Sequence, residues 1–242
     1  MESYIDLVLF FSIYSFSGWL LETILASIMQ RKFINRGFLI GFFCPIYGFG
    51  AVLVILSSKW AGALFANGIA GLIISILLAV IEVTVLEYIT GYILERIFDC
   101  KWWDYSNNAA NLKGYICLKY SLLWGLLAFL LLQFVHPVIS ETVFHIPDLI
   151  KFYMVIALTV YFLADTAKSV IDTLNLREII INYSNIPVSK YHEMIFKYKR
   201  FFLAFPRLLV LNAGILNRDV RSILHVRLNK IKVGLKNKLL SL

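Results

Sequence analysis

Charge is scarce in this chain: 16% of its 242 residues are Asp, Glu, Lys or Arg, against 60% that are hydrophobic, and the mean hydropathy is +0.78. Soluble domains carry about 25% charged residues, so a water-soluble globule is excluded. Cysteine is also rare. Cys44, Cys100 and Cys117 are odd in number and lack metal-ligand spacing, which argues against a disulfide framework or a zinc site. No segment alternates apolar and polar residues over runs of about ten, which excludes an outer-membrane β-barrel. No Ser-His-Asp or Cys-His constellation is visible. His136, His145, His192 and His225 fall outside the apolar span interiors, which disfavours haem ligation, and no cofactor is expected.

The apolar residues instead form runs of about twenty, enough to cross a hydrocarbon core of about 30 Å as helix. They lie at about 4–29, 38–58, 68–90, 117–138 and 149–171. The fold class is therefore all-α, a polytopic membrane protein with five transmembrane helices over 1–174 and a basic tail over 175–242. The stretch 61–98 reads as one span, preceded by a loop or re-entrant piece at 61–67 and extended to about Phe98. Because the chain starts Met1-Glu2 and reaches Asp6 before its first apolar run, that run is expected to be retained rather than cleaved as a signal peptide.

Loop charge sets the orientation. Arg31, Lys32 and Arg36 follow the first span, Arg96, Lys101, Lys113 and Lys119 surround the third loop, and the tail follows the fifth, so these belong in the cytoplasm and the N-terminus outside. Trp60, Trp102 and Trp103 fall at boundaries, where amphipathic rings prefer to sit. Residues 175–242 hold 13 Lys and Arg against 3 Asp and Glu. Following five spans, such a tail suits anionic lipid headgroups rather than nucleic acid. Its apolar part at 201–216, interrupted by Pro206, Arg207 and Gly214, is expected to form a helix lying in the interface. From Val220 to Leu242, leucines and other apolar residues recur at spacings of three and four, an amphipathic helix that would anchor to lipid or pair with a second copy.

An ionisable group inside a span costs about 2.5–3.5 kcal/mol on insertion scales and so needs a reason. Ser12, Ser15, Gly18 and Glu22 form one stripe of the first span, either a close packing face or one turned to a polar site. In the third span Glu87, Gly91 and Glu95 share a face that could hold a cation, a basic substrate group or Arg36, while Glu82 points elsewhere. Asp165 and Lys168, three residues apart, are expected to pair. Two boundary runs add structure breakers and hydrogen-bonding groups. NRGFLIGFFCPIYGFG, at 35–50, contains Asn35, Arg36, Pro45 and Tyr47 and predicts a broken or kinked second span. WWDYSNNAANLKGYICLKYSLLWG, at 102–125, offers Trp103, Asp104, Tyr105, Ser106 and Asn111 for a structured turn or a polar-headgroup site. With Glu22, Glu87 and Glu95 these nine make up the candidate substrate-binding set; no catalytic or metal-ligating residue is assigned.

FSIYSFSGWLLE (11–22), NRGFL with CPIYGFG, EYITGYILE (87–95) and WWDYS through LLWG (102–125) resemble the CmpB-like, or ABC-transporter type IV, membrane family, related to the animal TMEM229 proteins. The resemblance is strong over the first half and weak in the tail segment KRFFLAFPRL. It implies a permease. No G-x-x-x-x-G-K-S/T phosphate loop occurs, so ATP hydrolysis by a P-loop would need a separate subunit. Five spans are also few for a transport path, which makes a homodimer or hetero-complex the natural completion. Two further readings stay open: a scaffold or accessory protein, and a membrane enzyme acting on a lipid-like substrate with Glu22, Glu87 and Asp104 as acid or base.

Overall fold

The computed structural model describes residues 3–65, 68–181, 193, 197–205 and 209–210. Helix α1 (Tyr4–Gln30) starts at a capping box: the Ser3 hydroxyl accepts from the Ile5 amide, and the Ser3 amide donates to Asp6. It stops where Arg31 turns left-handed, at φ 51°. Helix α2 (Pro45–Leu64) places its proline at the first helical position, where the missing N–H costs nothing and the fixed φ favours the helix. The sequence predicted this span at 38–58. Residues 38–44 are instead non-helical, and the helix runs on through 61–64, where a loop was expected.

Helix α3 (Ile69–Phe98) is one unbroken rod of 30 residues, about 45 Å at 1.5 Å per residue, so its last turns project beyond a hydrocarbon core. It leads through Asp99 into strand β1 (Cys100–Lys101). Helices α4 (Leu118–Leu130) and α5 (His136–Phe144) are joined by a π-helical turn over Leu131–Val135. The wider turn accommodates Pro137, whose ring would collide with the carbonyl four residues earlier in an ordinary α-helix. Helix α6 spans Asp148–Ile181, α7 spans Lys199–Ala204, and β2 (Leu209–Val210) pairs antiparallel with β1, Cys100 opposite Val210. Among the described residues of 201–216 the expected interfacial helix is interrupted: helix ends at Ala204, and 209–210 is strand because it pairs with β1. The expected amphipathic helix from Val220 lies outside the described residues.

Helices α1, α2 and α3, the combined Leu118–Phe144 rod and α6 are each long and apolar enough to span a membrane. Helix α2 packs between α1 and α3, α4 lies on α3, and α6 lies on α1. The stripe of small residues on α1 is a packing face: Gly18 lies under the Tyr47 ring, and Gly48 approaches Ser15 and the Phe11 backbone, so neither has room for a Cβ. Large apolar residues such as Leu77, Ile81 and Leu122 stay exposed on the outer faces, which suits lipid contact. At the end of the bundle that holds the tail, Phe98, Cys100, Trp102, Leu176, Tyr198 and Phe201 form a buried cluster. Trp102, expected at a lipid boundary, is 3% exposed because that cluster encloses it.

Candidate functional site

The polar groups of the first three spans converge between α1, α2, α3 and α4. Arg36 Nε lies 2.8 Å from Glu22 Oε2, both side chains about one-third exposed, and the Tyr47 hydroxyl donates to the other Glu22 oxygen at 2.7 Å. The Tyr47 ring meets Trp124 edge-on at 5.7 Å. Trp124 Nε1 donates to Glu87 Oε2 at 3.0 Å, and the Tyr105 hydroxyl donates to Glu87 Oε1 at 3.2 Å. Tyr105 in turn stacks on Tyr120 at 4.6 Å. A run of side chains thus leads from Arg36 through Glu22, Tyr47 and Trp124 to Glu87 and Tyr105.

Glu87 is 4% exposed. Arg36 was a sequence-level candidate for its partner, but the guanidinium goes to Glu22, which lies on the helix leading into the same loop. The Glu87 carboxylate is held by two neutral donors instead. Tyr105 lies outside the spans, and burial pushes its phenol far above the ordinary range, with the Glu87 carboxylate adding to the effect.

Arg36 is positioned by an inserted loop, residues 31–44, that is tied down throughout. Trp19 Nε1 donates to Asn35 Oδ1 at 2.7 Å, and the Asn35 amide nitrogen donates to the Ile40 carbonyl at 2.7 Å. The Arg36 amide donates to the Thr23 hydroxyl, and the Cys44 amide to the Ser15 carbonyl. The expected Asp165–Lys168 pair does not form. Asp165 accepts from the Ile40 and Gly41 amides, both at 3.0 Å, while Lys168 pairs with Asp172 at 2.7 Å. A carboxylate facing backbone N–H groups with no helical partner outweighs a short-range ion pair. Burial, with Glu22 second, pushes the Cys44 thiol up to about 12.

The loop 102–117 is mostly self-satisfied. Asp104 Oδ1 accepts from the Ser106 amide and hydroxyl, Asn111 donates to the Ser106 and Asn108 carbonyls, and Gly114, at φ +75°, passes too close to Asp104 for any side chain. Trp103 donates to the Tyr115 carbonyl at 2.8 Å, and both rings lie over Gly91, filling the gap on the Glu87–Glu95 face. Glu95 is removed from the run described above: it bonds Tyr115 and has Lys101 4.0 Å away. Burial and that carboxylate push the Tyr115 phenol up to about 12.

Of the sequence candidates, Glu22, Arg36, Tyr47, Glu87 and Tyr105 come together; Asn35 and Pro45 shape the loop and the start of α2; Trp103, Asp104, Ser106 and Asn111 build the turn. Glu82 has a separate contact with Ser57 at 2.9 Å. His136 lies within the spanning rod, its Nδ1 2.9 Å from the Tyr14 hydroxyl, and not outside the span interiors as its place in the sequence suggested. Trp124 and Asp165 were missed as contributors. Trp124 stands within the LLWG motif at 122–125, one available signal; Asp165 had only its burial cost in an apolar helix.

The family model described as "Putative ABC-transporter type IV" matches residues 9–170, about two thirds of the chain. No curated protein and no solved structure matches. The match covers the five spanning segments from within α1 to within α6, including every residue from Glu22 to Trp124 that builds the polar run. The chain is a multi-pass, transport-related membrane protein and belongs to this ABC-transporter type IV (CmpB) family.

Proposed function

We propose that the chain is a permease-type integral subunit of a transporter whose ATPase is a separate polypeptide, with the polar run between α1, α2, α3 and α4 contacting the substrate. The observation that carries this reading is the pair of carboxylates Glu22 and Glu87 on helices of an apolar bundle, with Arg36 brought to Glu22 by a non-helical loop. Ionisable groups at membrane depth and interrupted helices are features of transport paths. On loop charge the N-terminus faces outward, and the basic tail lies in the cytoplasm near anionic lipid. Five spans per copy favour a homodimer or hetero-complex as the working unit.

Co-purification from native membranes is the test. A P-loop subunit should elute with the chain, and Glu22→Gln or Glu87→Gln should remove the cellular phenotype out of proportion to any fall in membrane abundance. Absence of such a partner together with wild-type behaviour of both variants would overturn the proposal. One observation favours a scaffold as second reading: both oxygens of Glu22 and both of Glu87 already have internal partners. A scaffold predicts that both variants change abundance before any other property.

A further inference from the structure

A short piece of the tail holds the loop that carries Arg36. Arg200, on α7, donates from Nη1 to the Gly37 carbonyl at 3.1 Å and the Leu39 carbonyl at 2.8 Å, and from Nη2 to the Phe38 carbonyl at 2.9 Å. The next two residues, Ile40 and Gly41, give their amides to Asp165. Five consecutive residues are therefore held between a guanidinium on their carbonyls and a carboxylate on their amides. The fork of donors on arginine suits three carbonyls at once, which a lysine ammonium matches less well.

Independent contacts dock the same piece. Tyr198, Phe201 and Ala204 are buried; Phe201 and Phe205 meet Trp102 edge-on at 5.7 Å and 4.8 Å; and Gln30 Nε2 donates to the Leu203 carbonyl at 3.3 Å. The β1–β2 pairing continues the attachment beyond it. The segment thus touches the end of α1, the loop, the end of α3 with β1, and, through Leu176 and Ile179, α6.

We infer that residues 197–205 act as a latch: docked, they hold the loop 37–41 against the bundle, and released, they free that loop and loosen the Glu22–Arg36 pair that it positions. The functional consequence rests on the permease reading, but the latch itself does not. Cys44, at the end of the held loop, is a native reporter. Its thiol is held protonated by burial and by Glu22, so it should react slowly with maleimide while the latch is closed.

The experiment uses the full-length chain in lipid nanodiscs with Cys100→Ala and Cys117→Ala, so that Cys44 is the only thiol. Alkylation of Cys44 by N-ethylmaleimide, followed by mass spectrometry, should be at least ~10-fold faster in Arg200→Gln than in its parent, with Arg200→Lys in between. A rate within about twofold of the parent in a monodisperse Arg200→Gln sample would overturn the latch. If that variant does not fold, a cysteine-free chain carrying Gln30→Cys and Leu203→Cys decides. Oxidation of most of the protein to the disulfide in membranes supports the docked segment, and oxidation of less than roughly a tenth overturns it. Cys44 labelling does not report transport, so failure of the Glu87→Gln phenotype and failure of the latch remain distinguishable.

Discussion

Removing the indole donor from Glu87 tests whether the buried carboxylate depends on α4 or on the loop arginine. Trp124→Phe keeps most of the ring that packs on Tyr47 but deletes the N–H 3.0 Å from Glu87 Oε2. A hydrogen bond to a charged acceptor contributes about 1.5–3 kcal/mol, and at 4% exposure Glu87 is closed to bulk solvent that could replace the donor. Trp124→Phe should therefore destabilise the fold by about 2 kcal/mol. Glu87→Gln presents an amide to two donors, so one of its bonds must be lost, but the cost of burying a charge is lost with it; about 1 kcal/mol net is expected. The double variant should fall short of the sum by at least about 1 kcal/mol, because the two changes delete one interaction. Glu87→Gln combined with Arg36→Gln should be additive within about 0.5 kcal/mol, since Arg36 bonds Glu22. Steric trapping in bicelles supplies the four free energies of each cycle. Additivity for Glu87 with Trp124, or coupling above about 1 kcal/mol for Glu87 with Arg36, would refute the assignment.

Gly41→Ala should weaken folding by about 1–3 kcal/mol, because the added methyl collides with the Tyr161 hydroxyl and the Asp165 carboxylate, and the loss is read by the same trapping assay. Tyr115, raised to about 12 in the fold against about 10 when unfolded, binds its proton more tightly in the native state. Its contribution to stability is complete below pH about 10 and is lost as pH rises toward 12, so Tyr115→Phe should flatten that part of an alkaline denaturation profile. For orientation, single cysteines at Ser140 and Ser222 in intact cells should react with an impermeant reagent at Ser140 alone, and labelling at Ser222 would reverse the assignment.

The spanning helices were legible because twenty apolar residues in a row admit few alternatives in a bilayer, and basic loops separate the first span from the second and the third from the fourth. The start of α2 was not. FLIGFFC is as apolar as the helix that follows it, so hydropathy extends the span back to 38, while the residues that keep 37–41 out of a helix are remote in sequence: Asp165 and Ser169 are 124 to 129 positions away, and Arg200 is 161 to 163. Local rules misassigned Asp165 for the same reason. A helix-spacing argument sees Lys168 three residues on, but not two loop amides arriving from another part of the chain.

The same distinction governs what could be read of the candidate site. Burial cost alone marked Glu22 and Glu87, since any carboxylate in such a run must find a partner. Which partner it finds depends on which helix lies opposite, and that is fixed by packing. Gly18 admits the Tyr47 ring, which brings the Tyr47 hydroxyl to Glu22; Gly125 approaches Val80 closely, drawing α4 against α3 right beside Trp124, whose indole reaches Glu87. Small residues thus decide the wiring of the charged ones. Arg36 illustrates the consequence: its loop is tied to α1 at Asn35 and at its own amide, so it meets the carboxylate of the helix it has just left and cannot also serve Glu87 on α3. Glu87 is therefore held by neutral donors alone among the described residues, a setting in which a proton or an incoming cation would alter the local charge balance more than at Glu22, whose charge Arg36 already offsets.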